Sequence, residues 1–396
     1  STLFTLNQAF ADGDYHYSVD LTAVKNDKLT IKLTPPDIAD NETVFMFPAM
    51  VPGTYDVYDF GRFVSNFKVE GKNGQTIKVE VLDKNSYKLS PANAIKEISY
   101  EVEDTWDTDI KEKVVFEPGG TNIEEGKNFC LNTHGFFGYF KNKIEANFIL
   151  EFTKPKGFYA STSLTNLKSG ELKDVISVFN YHDLVDSPIM YTQPDTATIN
   201  VGKAQVLISV YSPNKILTSD FIARNLKELL FAQAEYLGGE LPIDKYAFLF
   251  YFSDKPSLSG AAGALEHSYS SFYYLPESRY EKKLVETVKH VSSHEFLHLV
   301  TPLNLHSEEI EHFDFLHPKM SKHLWMYEGV TEYFSYLAQI RGNIITEKDF
   351  RKEIRTRLNR GAQFGNFSMT AMSSDVLSPS NQKLYLSVYS RGALIA

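Results

Sequence analysis

The sequence predicts a multidomain α+β protein. An antiparallel, sandwich-like β domain over residues 1–187 is followed by an α+β domain over residues 188–396. Three observations carry this. Short segments of the first half alternate apolar and polar residues with a period of two. Turn signals separate those segments, and long stretches of helical periodicity begin only after residue 218. An H-E-x-x-H pattern, in SSHEFLHLVTPLNLH, falls inside one of the late helical stretches.

Taken in order, YHYSVDL (15–21) places Tyr15, Tyr17, Val19 and Leu21 on one face of a strand. The same alternation recurs in LTIKL (29–33), TIKVEV (76–81), EISYEV (97–102) and NFILEF (147–152). Breakers stand between them: Pro35-Pro36, KNGQ (72–75) and Pro118-Gly119-Gly120. The 29 Phe and 23 Tyr suit this strand-rich half. After residue 188 the strand QVLISVYS (205–212) precedes a helix that Ser219 can cap and Gly238 can stop. A strand follows at 246–252. Helices are expected at about 280–300, 325–341 and 347–360, with Thr346 capping the last.

Composition narrows the function classes. With 43% hydrophobic and 23% charged residues the chain is globular. A net charge of −10 argues against nucleic acid or an anionic membrane as partner. No apolar run approaches the roughly 20 residues of a membrane span. Cys130 is the single cysteine, so neither an internal disulfide nor a cysteine metal cluster can form. It fits cytosol and periplasm alike, and oligomeric state is left open.

On a helix, residues four apart share one face, so His294 and His298 can aim at one metal ion. Glu295, rotated by about 100° from His294, can then serve a water on that metal. The alternative is a chance pattern on an ordinary helix, and a third ligand discriminates. The extended H-E-x-x-H-x-x-G-x-x-H pattern fails, because Thr301 stands where Gly is needed and Asn304 where the third His is needed. His306 lies two residues further on, past Pro302, and reads as a loop residue. His312, His317 and His323 lack partner spacing. The remaining option is HLWMYEGVTEYFSYLAQIRG, in which Glu328 begins a helix and Glu332 lies one turn later on the same face. Glu328 can bind the metal while Glu332 accepts a hydrogen bond from a ligating histidine. An acidic first turn favouring the helix dipole is the competing reading.

Together, HEFLH and WMYEGVT resemble the gluzincin metallopeptidases, which join H-E-x-x-H to W-x-x-E-G-x-T. More narrowly, the sequence is similar to the glycyl aminopeptidase family. VPGTYDVYDFGR (51–62) resembles that family's P-G-S-Y-x-x-R-D-F-x-R signature, and GALEHSYSS (263–271) its G-x-L-E-H-x-x-S strand. NTHGFFGYF (132–140) and HDLVDSPI (182–189) are similar to further stretches of it. The resemblance implies a β-rich N-terminal domain, a thermolysin-like catalytic domain and often a C-terminal PDZ domain. The last has no counterpart here, and YSRGALIA reads as the start of a helix, so the protein is expected to continue beyond Ala396.

The resemblance also implies roles. His294, His298 and Glu328 bind one zinc ion per chain, and Glu295 is the general base and later the proton donor to the leaving amine. Glu266 pairs with the free α-amino group of a peptide, with His267 and Gly263 lining the same pocket. YSRG (389–392) resembles the Y-x-K-G of aminopeptidase N-like enzymes. That gives Tyr389 a hydrogen bond to the oxyanion, with Tyr385 as the second candidate. The sequence departs from the family at Tyr58, where Arg is common, and at Arg391, where Lys is usual. LVTPLNLHSEE also replaces the usual segment after H-E-x-x-H. The expected function is zinc-dependent removal of N-terminal residues, Gly or Ala, from peptides with a free N-terminus. Two readings stay open beside it: a thermolysin-like endopeptidase, and a non-catalytic peptide-binding protein on a peptidase fold. With Ser1 in place of an initiating Met, and a degradative family, export to the periplasm is the expected localisation.

Overall fold

A computed structural model of the chain describes residues 13–110 and 112–396. The expected first domain therefore includes residues, 1–12 and 111, that lie outside the described ones. Its largest sheet has seven strands, in the order Leu167–Ser169, Lys173–Val178, Phe148–Thr153, Tyr15–Asp20, Lys28–Thr34, Ile95–Glu103, Val64–Gly71. All neighbours are antiparallel except Tyr15–Asp20 and Phe148–Thr153, which run parallel. Two four-stranded sheets accompany it.

Alternation places the strand faces as the sequence predicts. Tyr15, Tyr17, Val19 and Leu21 are buried with Leu29, Ile31 and Leu33 in one core. Full burial of an apolar side chain of this size contributes about 1.5–3 kcal/mol. The buried hydroxyls keep partners: Tyr17 donates to the Gly138 carbonyl at 2.7 Å, and Tyr15 accepts from Phe140 N–H at 2.8 Å.

The second half is built on a five-stranded mixed sheet, ordered Thr196–Val201, Ala204–Tyr211, Lys245–Ser253, Ser270–Pro276, Gly263–His267. The strand Ile189–Thr192 lies just past residue 188 but pairs with Asn128–Leu131 and Tyr159–Ser161 of the first half. The two halves are tied together. Phe313 and Phe315 pack into the first-half core, and the Phe315 carbonyl accepts from Ala49 N–H at 2.8 Å.

The helices that matter here are α1 (Ser219–Tyr236), α2 (Glu281–Leu297), α3 (Leu324–Arg341) and α4 (Glu347–Gly361). The N-cap of α1 is Thr218, whose hydroxyl accepts from Phe221 N–H, and not Ser219. The Ser219 hydroxyl is committed to Asp195 at 2.6 Å. Gly238 and Gly239 follow α1 with φ of 110° and 108°, a left-handed exit that only glycine takes easily. Thr346 and Asp349 form a capping box on α4, as expected of Thr346.

Helix α2 is clamped to the sheet through Leu284, Val288 and Phe296. The Phe296 ring lies 5.0 Å from that of Tyr246. Phe296 is two residues from both His294 and His298, so seating it on the sheet turns both imidazoles away from the sheet. Ser293 Oγ donates to the Ser335 carbonyl at 3.2 Å, joining α2 to α3 at a point where both side chains are small.

Candidate active site

A cleft of about 850 Å³ runs between the two halves. Gly53, Tyr55, Tyr58 and Phe116 form one wall. The others come from Ala261–Glu266, α2, α3, α4 and the C-terminal segment around Tyr385 and Tyr389.

His294, His298 and Glu328 are buried and meet at its base, each offering one donor atom within 4.8 Å of the others. His294 Nε2 lies 3.1 Å from His298 Nε2 and 3.2 Å from Glu328 Oε2, and His298 Nε2 lies 3.6 Å from that oxygen. These separations fit a tetrahedral zinc with ligands at about 2.1 Å, which holds neighbouring ligands about 3.4 Å apart. The outer nitrogens are also occupied. His298 Nδ1 donates to the Thr301 carbonyl at 3.0 Å, and His294 Nδ1 lies 2.8 Å from Glu332 Oε2. Both inner nitrogens are then lone pairs pointing at one spot. That arrangement repels without a cation and binds one well.

The surrounding charges agree. Burial works against the charge on Glu328, but His298, His294 and the Tyr55 hydroxyl outweigh it and hold its carboxyl below the usual range. Burial likewise opposes the charge on Glu332, yet His290, His294 and Arg357 hold it at about 2. Arg357 pairs with Glu332 through Nη2 and with Glu353 at 2.8 Å. Glu295 is different. Burial pushes its carboxyl well above the usual range, with Glu266 and Glu328 adding to the rise and His294 opposing it.

Glu266 lines the cleft, and one of its oxygens lies within 4.8 Å of a donor atom of both Glu295 and His298. Only glycine fits at position 53 beside it, where φ is 83°: a Cβ there would stand 3.0 Å from both carboxylate oxygens and 2.6 Å from Leu265 Cδ1. Gly263 lines the cleft. His267 does not. Successive strand residues face opposite sides, so it turns away from the cleft, with Nδ1 3.2 Å from Asp186 Oδ1. There it lines a smaller cavity of about 220 Å³ behind Glu266.

Tyr389 and Tyr385 are both in the cleft, their hydroxyls 2.8 Å apart, and the Tyr389 ring lies 5.7 Å from that of His294. Arg391 takes no part in the cleft. Its guanidinium donates to the carbonyls of Gly361, Phe364 and Gly365. His306 is a loop residue, bonded to the Pro302 carbonyl at 2.7 Å and to Glu311. Asn304 donates to the Leu299 carbonyl at 2.6 Å.

Three residues at the site escape sequence reasoning. Tyr55 reaches Glu328 from the other half of the chain, with its carbonyl held by Gln382 Nε2 at 2.8 Å. Its signal was its place in VPGTYDVYDFGR. His290, four residues before His294, stacks on Tyr336 with ring centres 5.1 Å apart, and Nε2 is 3.7 Å from Glu332 Oε1. The i−4 spacing could have found it. Arg357, the buried partner of Glu332, left no local signal.

Two family models match the chain. The Peptidase M61 N-terminal domain covers residues 16–193, and the M61 glycyl aminopeptidase covers residues 287–395. No curated protein matches it. Among solved structures it is similar to an aminopeptidase N family protein from Idiomarina loihiensis. The TM-score is 0.82 at 20% identity, over 96% of this chain and 65% of that one. The chain thus spans less than two thirds of that relative's length. It is also similar to a mutant M1 zinc metallopeptidase from Deinococcus radiodurans bound to a Tyr-Ser-Ala substrate. There the TM-score is 0.53 at 14% identity, over 96% of this chain and 80% of that one. At such identities the likeness is one of fold.

Proposed function

The chain belongs to the peptidase M61 family, and on that premise we propose that it is a zinc-dependent aminopeptidase removing small N-terminal residues, glycine or alanine, from peptides. The observation that carries the aminopeptidase reading is the closeness of Glu266 to Glu295 and His298. In a peptide the α-nitrogen is only about 2.5 Å from the carbonyl carbon of its own residue. An ammonium paired with Glu266 therefore sets its own carbonyl beside the ligand cluster.

Zinc held by His294, His298 and Glu328 would polarise the scissile carbonyl and acidify a water. Glu295, which lines the cleft beside His298, takes the proton of the attacking water and returns it to the leaving amine. Tyr389 donates to the oxyanion that develops on the carbonyl. If Tyr385 donates to the Tyr389 oxygen across their 2.8 Å contact, the Tyr389 proton is left free for that task. Glu332 orients His294 and is itself kept charged by Arg357.

Metal analysis tests this reading. About one zinc per chain is expected, with alanine-arylamide hydrolysis lost to a chelator and restored by zinc. Hydrolysis that persists after zinc is stripped, or a protein that takes up none, contradicts it.

A further inference from the structure

Carboxylates and arginines both line the cleft. Glu266 lies beside His298 and Glu295. From there the contacts run through His294 to Glu332, and from Glu332 to Arg357 on α4. Arg360 lies one turn beyond Arg357 on the same helix and also lines the cleft.

Two arginines line this wall, Arg357 and Arg360, and Arg391 lies outside the cleft. Arg357 is tied to Glu332 and Glu353. Arg391 is tied to three backbone carbonyls. Arg360 makes no ion pair among the described residues, although Glu266, Glu295, Glu328 and Glu332 line the same cleft. We infer that Arg360 receives the C-terminal carboxylate of a short peptide, so that the substrates are oligopeptides with both termini free.

The inference rests on the aminopeptidase reading above and narrows its substrate class. A peptide whose ammonium pairs with Glu266 runs past His294 toward α4. Each extended residue adds roughly 3.3–3.6 Å, so a few residues carry its carboxylate out to that helix. A guanidinium suits the planar carboxylate, which it can bind with two parallel hydrogen bonds. Gln363 lines the same cleft and offers a further donor. Arg360 also sits in the last turn of α4, where a cation complements the helix dipole. The test therefore reads ligand discrimination and not stability alone.

Zinc-loaded Glu295→Gln protein, which binds without turnover, is titrated calorimetrically with Ala-Gly-Gly as the free acid and as the C-terminal amide. The free acid is expected to bind about tenfold tighter. Adding Arg360→Gln is expected to bring the two affinities together. Equal affinities for acid and amide, binding of neither, or a ratio that survives Arg360→Gln overturns the inference. If Arg360→Gln proves unstable by its melting temperature, the acid-to-amide ratio of the parent protein decides. Hydrolysis of alanine arylamide by the wild type, a substrate with no C-terminal carboxylate, reports separately on the aminopeptidase reading.

Discussion

Gly329 and Gly392 cross at backbone contact: a Cβ on Gly329 would stand 2.3 Å from the Gly392 carbonyl carbon, and one on Gly392 would stand 2.3 Å from the Trp325 carbonyl oxygen. Gly329 follows the ligand Glu328, and Gly392 closes the turn Val388–Gly392 that carries Tyr389. The glycines of WMYEGVT and YSRG thus serve one purpose. They let the helix bearing the metal ligand and the turn bearing the tyrosine touch. Gly329→Ala should push the turn away, lowering kcat at least tenfold and stability by about 1–3 kcal/mol. Steady-state kinetics and urea denaturation check both. An alanine variant with wild-type kcat would detach Tyr389 from catalysis.

Tyr389→Phe keeps the ring against His294 and removes only the hydroxyl. A fall in kcat of roughly 10²–10³ with little change in KM or zinc content is expected of a lost oxyanion donor. A comparable fall in Tyr385→Phe and not in Tyr389→Phe would hand the role to Tyr385.

Glu332→Gln should weaken zinc binding by about 10–100-fold, measured by competition with a chelator. The carboxylate lies 2.8 Å from His294 Nδ1 and balances Arg357, so its loss both frees the imidazole and strands a buried cation. Unchanged zinc affinity would leave Glu332 a purely structural partner of Arg357.

His134, in NTHGFFGYF, is fully buried, with Nε2 2.9 Å from the Gly119 carbonyl. Burial lowers its pKa from 6.5 to about 4. The folded protein therefore holds this ring neutral where the unfolded chain would protonate it. Its contribution is complete above about pH 6.5 and is lost as pH falls toward 4, a cost of ~3 kcal/mol. Urea midpoints at pH 7 and pH 4.5 should differ less in His134→Gln than in wild type. An identical difference in the two proteins contradicts the assignment.

Much of this was legible in the sequence where chemistry follows local spacing. The i, i+4 histidines and the Glu328-to-Glu332 step fix which side chains share a face before any fold is known, and the strand Tyr15–Asp20 buries the face its alternation predicts. What the sequence hid is of two kinds. Tyr55 and Arg357 reach the site through tertiary packing, across hundreds of residues in the first case and between helices in the second. His267 was legible in principle. Its neighbour Glu266 faces the cleft, so strand geometry alone puts His267 on the other side. The Ser219 cap went to Thr218 because Asp195, 24 residues away, takes the serine hydroxyl.

The aminopeptidase claim rests on the carboxylate of Glu266, and one comparison tests it directly: hydrolysis rates of the zinc-loaded protein on an alanyl peptide with its α-amine free and with that amine acetylated. Acetylation removes the charge that Glu266 pairs with. The rate should therefore fall at least a hundredfold. An acetylated peptide cleaved as fast as the free one would contradict the account and make the protein an endopeptidase.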